Sequence, residues 1–546
     1  MKKPKLEELT LREKIGQICM VQAAHLMKMD DMEGFLKENP IGGVWHTCNQ
    51  SMEATNLTEA PIDKPEDSTY YRNWTKKYTA ALKVPPLIAF DAPLSSSATD
   101  IPTVVTNPVV GAANDDELAY LSGKYRALCA RALGANWIWG PEVDMASRFS
   151  PTSAMRSCSD DLEKLCRIST QIVKGIQDHG VAATAKHFPG KDQVEYRDSH
   201  FAPTFNHSTL EEWRNLQAKS FKHLINNGVC GIMTTHSAFP ASDDRRLGGG
   251  TYIPSTISKN TITGLLREEA GFDGVAITDS IDMASLRVAY PNTSDLYVEI
   301  INAGQDIILN IPDMDCIDRI EKAINEGRIS MERLDESCRR ILDMKEKIGL
   351  FDENREEIKM TPELKAEVRA FNKRASEKAI VLECDIDNQL PLDASKIKNV
   401  AIVCSTHNEA IFDGIDAMKA AFEKRGMNVT KVRRILSDAE MEKIDAENDL
   451  IIYSSYIMPH QPMGAAGFVG EECATFFYAF TKGIEKSIGV SLGSVYVYYD
   501  FYENMKMFAH AFSATPESQE AFVDAIFGDI PFAGEMPYNP AGPRIN

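Results

Sequence analysis

The chain has 546 residues, 43% of them hydrophobic and 25% charged, with a net charge of -20. That length exceeds one ordinary core, since domains run to roughly 100–200 residues and barrels to about 250 or more, so two domains are expected. The acidic balance repels nucleic acid and anionic membranes, and neither is expected as a partner.

The start, "MKKPKLEELTLREKIGQICMV", has lysines but no apolar stretch of signal-peptide length, and no later run could span a bilayer. The 11 cysteines are scattered without any C-x-x-C, which suits free thiols in a reducing compartment. The cytoplasm is the expected location.

Short apolar runs follow in order: "IGGVWH", "PPLIAFDA", "GANWIWGPEVDM", "GVAATAKHFP", "GVCGIMTTHSAFP", "GVAITDSIDM" and "GQDIILNIP". Between them lie helix-like stretches such as "DELAYLSGKYRALCARALG" and "TLEEWRNLQAKSFKHLINNG". This βα alternation predicts a parallel sheet with helices outside, closed as an N-terminal (β/α)8 TIM-type barrel over 1–351. Most runs begin apolar and end polar, at Asp91, Asp144, Lys186 with His187, His236 and Asp279. In a barrel those ends converge on the carboxyl-terminal mouth, where active sites are built.

The alternation stops after "RRILDMKEKIGLF". An acidic, helix-prone linker over 352–395 precedes a second βα series with "IKNVAIVCS", "DLIIYSSY" and "IGVSLGSVYVYY". It predicts a smaller, flavodoxin-like α/β sandwich over 396–546. Near its end Thr515 and Pro516 sit where an N-cap and first helical residue belong, and Gly528 where that helix stops. No internal repeat or low-complexity tract is present.

The densest chemistry lies in "KHFPGKDQVEYRDSH", Lys186 to His200. His187, Asp198, His200 and His236 could ligate a metal, but their spacing fits no compact zinc pattern and Lys186 would set a cation beside the ion. Histidines satisfied by backbone carbonyls are a second reading. The favoured one pairs Asp198 with His200. One residue apart on an extended or looped backbone, both side chains reach the same side. The carboxylate then fixes the imidazole tautomer and leaves the other nitrogen to move a proton. Asp279, closing "GVAIT", supplies a carboxylate able to attack or to stabilise a cationic centre. Asp282 is its rival, although it lies past the strand end, where it could cap the next helix.

"KHFPG…DSH" together with "GFDGVAITDSIDM" resembles glycoside hydrolase family 3, in its β-N-acetylglucosaminidase branch with an Asp-x-His dyad. The likeness extends through "LREKIGQICMV", "IGGVWH", "RSCSDD", "TISKNTITGLLREEAGFDGV", "RASEKAIVLECDIDNQLPLDASKIKNVAIV" and "FGDIPFAGEMPYN". It implies a retaining, exo-acting hydrolase of terminal β-linked N-acetylglucosamine, without cofactor or metal, acting on small carbohydrates as a monomer or homodimer. Asp279 would be the nucleophile and His200 the acid/base oriented by Asp198. Asp91, Arg156, Lys186 and His187 would hold the sugar hydroxyls, and His236 joins them as a substrate-binding candidate.

The chain departs from the branch in having Lys191 and Asp192 where His-Gly usually follows "KHFPG", so the dyad loop is expected to sit differently. "DAPLSSSATD" lacks the usual Glu-Gly-Gly and following arginine. Alternatives are a β-N-acetylglucosaminide phosphorylase, a β-glucosidase or β-xylosidase of the same family, a non-catalytic sugar-binding protein and a metallohydrolase. Phosphorolysis enters because a histidine that has given up its proton is neutral, so phosphate could approach the site more easily than one with two carboxylates.

Overall fold

The computed structural model describes residues 2–46, 66–91, 98–148, 150, 153, 156–287, 289–290, 292–406, 412, 414–457, 468 and 471–539. The chain forms two compact units. One gathers Met1–Pro102, Tyr120–Met145 and Ser169–Lys365, and the other Thr103–Ala119, Ala146–Ile168 and Ala366–Asn546.

The first unit is a barrel of eight parallel strands: β1 (Cys19–Gln22), β2 (Gly43–His46), β3 (Leu87–Asp91), β4 (Trp137–Trp139), β5 (Ala182–Phe188), β6 (Gly231–Thr234), β7 (Val275–Thr278) and β8 (Ile308–Leu309). Each strand from β1 to β6 pairs with the next, and β8 pairs with β1. A bridge between Ile277 and Ile307 brings the ends of the sheet together. The strands are short and buried on both faces, as parallel strands under a helical shell must be. β1 is absent from the apolar runs read above. A single residue, Ile18, separates it from the helix Leu11–Gln17, so the helical pattern runs into the strand without a turn signal.

The helices are closed by local chemistry. Thr10 and Glu13, and Thr209 and Glu212, form reciprocal capping boxes that satisfy otherwise orphaned N–H groups. The stretch read as one helix from Thr209 is two, Leu210–Asn215 and Gln217–Asn226, because Leu216 leaves the helical region at φ -125°, ψ -87°.

The second unit holds β9 (Val381–Asp385), β10 (Asn399–Thr406), β11 (Asn428–Val432), β12 (Leu450–Tyr456), β13 (Ser487–Ser491) and β14 (Met507–His510). Their order is β11-β10-β12-β13-β14-β9. The first five are parallel in the flavodoxin-like order 2-1-3-4-5, and β9 adds antiparallel to β14. The helix Pro362–Ala379 and β9 both fall within 352–395. The helix Pro516–Ile526 follows Thr515 as its N-cap, and Gly528, at φ +78°, takes the left-handed turn beyond its end.

Candidate active site

Asp279 is the first residue past β7, and its N–H donates to the Thr234 carbonyl at 3.0 Å. Its side chain is 17% exposed, and Oδ2 lies 3.9 Å from Nε2 of His187. Oδ1 accepts the Ser280 N–H at 2.8 Å. Burial alone would raise this carboxyl, but the imidazoles of His187, His236 and His200 outweigh it and hold Asp279 well below the usual carboxylate range. It is therefore an anion over a wide span of pH.

His187 owes its aim to a break in register. Lys186 of β5 pairs with Met233 and Phe188 with Thr234, which leaves His187 as the extra residue of a bulge. Such bulges re-aim side chains beside functional sites. The His187 ring reaches Asp144, with Nδ1 to Oδ2 at 2.7 Å. The same carboxylate accepts the backbone N–H of His187 at 3.2 Å and of Lys191 at 2.9 Å, fixing both ends of the intervening turn. Gly190 makes that turn at φ +113°, where an added Cβ would meet Gln217 Cγ at 2.7 Å. Lys186 is buried, and its carbonyl accepts the Val143 N–H at 2.8 Å.

Asp198 and His200 are hydrogen-bonded to each other. Asp198 Oδ1 lies 2.6 Å from Nδ1 of His200 and also accepts the His200 N–H at 2.9 Å. Burial would raise Asp198, but its hydrogen bond to His200 and that ring's charge overcome it and lower the carboxyl. The Asp198 side chain is buried while His200 is 32% exposed, so the imidazole edge away from Asp198 opens outward. The loop is braced from within: Asp192 accepts the N–H groups of Val194 and His207, and Glu195 holds the Arg197 guanidinium and the Phe205 N–H. The His200 carbonyl accepts from Ala284 N–H at 3.0 Å, tying the dyad to the segment that follows Asp279.

His236, the remaining substrate-binding candidate, is buried and hydrogen-bonded within the barrel unit. Nε2 donates to the Ser280 carbonyl at 2.8 Å and Nδ1 shares a 2.7 Å hydrogen bond with the Thr256 hydroxyl. Both nitrogens are thereby engaged within the protein, and burial lowers the ring's pKa. The carbonyl it reaches belongs to the residue that follows Asp279. Asp282 is exposed and accepts from the Ser280 hydroxyl at 2.6 Å. Asp91 ends β3 opposite Trp139 of β4, and residues 92–97 of "DAPLSSSATD" lie outside the described residues. Arg156 belongs to the second unit, where its carbonyl accepts from Asn107 Nδ2 at 2.6 Å.

Sequence reasoning marked Asp144 as a strand end but gave it no role, and it passed over Glu142. Among the described residues, Glu142, Asp144 and His187 each bring one donor atom within 4.8 Å of the others, a set of a kind that can hold a cation. The 2.7 Å bond between His187 and Asp144 already joins two of those atoms as donor and acceptor. Asp198, His200 and His236 do not belong to this cluster.

The barrel sets an ionised carboxylate and a hydrogen-bonded histidine–aspartate pair on loops at its carboxyl-terminal end, the face on which TIM barrels build their active sites. Residues 10–344 match the glycosyl hydrolase family 3 N-terminal domain, and the chain belongs to that family. It is 35% identical over 227 residues to a β-N-acetylglucosaminidase/β-glucosidase of Cellulomonas fimi, a stretch covering 40% of each chain. It is 31% identical over 234 residues to β-hexosaminidase A of Pseudoalteromonas piscicida, covering 40% of this chain and 39% of that one. The chain thus spans about two fifths of the length of these relatives. A family 3 β-N-acetylglucosaminidase structure from Paenibacillus sp. superposes with a TM-score of 0.79 at 25% identity, over 97% of this chain and 99% of that one. The β-glucoside phosphorylase BglX superposes at 0.82 with 23% identity, over 98% and 94%, a likeness of fold.

Proposed function

We propose that this protein is a retaining, exo-acting glycosidase that releases terminal β-linked N-acetylglucosamine through a covalent glycosyl-enzyme. Asp279 attacks the anomeric carbon while His200, charged and oriented by Asp198, protonates the leaving oxygen; neutral His200 then takes a proton from the incoming water. The observation that carries this reading is the 2.6 Å dyad, its outer edge exposed and its backbone bonded to Ala284, five residues past an aspartate that stays ionised.

Lys186, His187 and Asp91 are proposed to hold sugar hydroxyls, where charged hydrogen bonds outdo neutral ones. Arg156 joins them on the resemblance alone. The acetamido sugar is supported by the names of the Cellulomonas and Pseudoalteromonas relatives. A β-glucosidase activity is the second reading, favoured by the double name of the Cellulomonas enzyme.

No described helix is long and apolar enough to cross a membrane. A cytoplasmic site of action is proposed from the free cysteines, which are buried except for Cys384 and Cys473 among the described residues. A monomer or homodimer is proposed as the working form.

A panel of aryl β-glycosides (N-acetylglucosaminide, N-acetylgalactosaminide, glucoside, xyloside), run with and without millimolar phosphate, tests this. Fastest turnover of the N-acetylglucosaminide with free sugar as product supports the proposal. A sugar 1-phosphate product would change the reaction to phosphorolysis, and no turnover of any glycoside would remove the enzyme reading.

A further inference from the structure

Large hydrophobic side chains exposed to solvent are few among the described residues. Of the seven that stand out, Val194, Tyr196 and Phe201 fall within eight consecutive positions of the loop that carries the dyad. Exposed apolar side chains scattered singly mean little, whereas a local concentration beside a reactive group marks a contact surface.

Phe201 is the one whose place relative to the chemistry is fixed. Its N–H and that of Ala202 both donate to the Asp198 carbonyl, at 3.1 and 3.0 Å, in a turn that folds back over the dyad. The Phe201 ring centroid then lies 6.4 Å from that of His200 at an interplanar angle of 43°. The ring is not packed away: the residue is 52% exposed. The bracing around it, from the Glu195–Arg197 ion pair to the Arg197 guanidinium 5.0 Å over Phe205, keeps the turn in place before any ligand arrives.

We infer that Phe201 is a leaving-group platform, a specificity-determining residue that takes the flat apolar face of the group attached to the scissile oxygen. This inference rests on the glycosidase reading given above. Because Nδ1 of His200 is committed to Asp198, Nε2 alone can deliver the proton, and it goes to the leaving oxygen. Whatever that oxygen carries therefore departs past the His200 edge, and Phe201 is the exposed aromatic ring in contact distance of that imidazole. A sugar ring or an aryl group offers the C–H-rich or π face that an aromatic ring accepts, and loses water from both surfaces in doing so. Val194 and Tyr196 extend the apolar character of the same loop.

The test compares leaving groups of different size on one sugar: N-acetyl-β-glucosaminyl fluoride, whose leaving group is too small to reach the platform, the 4-nitrophenyl glycoside, and the β-1,4 disaccharide. In Phe201→Ala the ratio of kcat/KM on the disaccharide or aryl donor to kcat/KM on the fluoride is expected to fall by about three- to tenfold, the range for one aromatic contact, and Phe201→Tyr to restore it. A ratio unchanged in Phe201→Ala would overturn the inference. So would a change of oligomeric state in light scattering with that ratio intact, which would give the patch to self-association. Failure of the unaltered protein to turn over any of the three donors would instead remove the glycosidase reading, so the two failures are distinguishable.

Discussion

Nδ1 of His187 donates to Oδ2 of Asp144 at 2.7 Å, and the opposite nitrogen of the same ring faces Oδ2 of Asp279 at 3.9 Å. After burial, which acts the other way, the His187 imidazole is the first among the influences that hold Asp279 below the usual carboxylate range. Asp144, 43 residues before its partner in sequence, thus supports the proposed nucleophile without touching it.

Asp144→Asn keeps the shape and one acceptor but removes the charge behind His187. We expect kcat/KM to fall by about 10- to 100-fold, the equivalent of one charged hydrogen bond worth ~1.5–3 kcal/mol. The direction in pH also follows: with less cationic character facing it, Asp279 protonates at higher pH, so the acid limb of the kcat/KM profile moves upward. A variant with wild-type pH limbs and reduced thermal stability would make Asp144 purely structural.

His200→Ala should separate substrates by their leaving groups. Donors with poor leaving groups need the proton in the transition state and should slow by roughly 10²- to 10⁴-fold, whereas strongly activated aryl glycosides should lose far less in the first step. Equal losses on both kinds of donor would contradict an acid role for His200.

Far from the proposed site, Lys345 is fully buried, with Nζ donating to Gln17 Oε1 at 2.6 Å and 3.5 Å from the Gly42 carbonyl. Neither partner is charged, and burial brings the ammonium down to about 7. An unfolded lysine titrates near ~10.4, so between those values the unfolded chain binds more protons than the folded one and stability rises with pH. Below about 7 both states are protonated and the whole penalty is present. The urea midpoint should therefore climb from neutral pH toward pH ~10, and Lys345→Met should flatten that climb relative to wild type. Parallel pH curves for the two proteins would refute this.

What the sequence disclosed follows the range over which the forces act. Asp198 and His200 are two residues apart, and Asp279 closes a β-branched run, so the dyad and the carboxylate were readable from local spacing. The Thr515–Pro516 start of the last helix was readable for the same reason. Strands escaped where their pattern was borrowed or weak: β1 runs on from a helix, β11 alternates between exposed and half-buried positions at a sheet edge, and β14 has four residues.

His236 could not be placed in advance, because its partners Thr256 and Ser280 lie 20 and 44 residues away. Neither could the bulge that turns His187 toward Asp144, since it arises only when β5 and β6 are paired. Long-range hydrogen bonding decides such side chains, and one residue type in one string carries no trace of it.

The central claim is that Asp279 forms the bond to the sugar. Incubating the protein with a fluorinated glycosyl donor that slows the second half-reaction, then digesting it and locating the adduct by mass spectrometry, tests this most directly. The account predicts a single glycosyl label on Asp279, lost in Asp279→Ala together with roughly 10⁴-fold or more of the turnover. A label on Asp282 or any other carboxylate, or full turnover by Asp279→Ala, would contradict it.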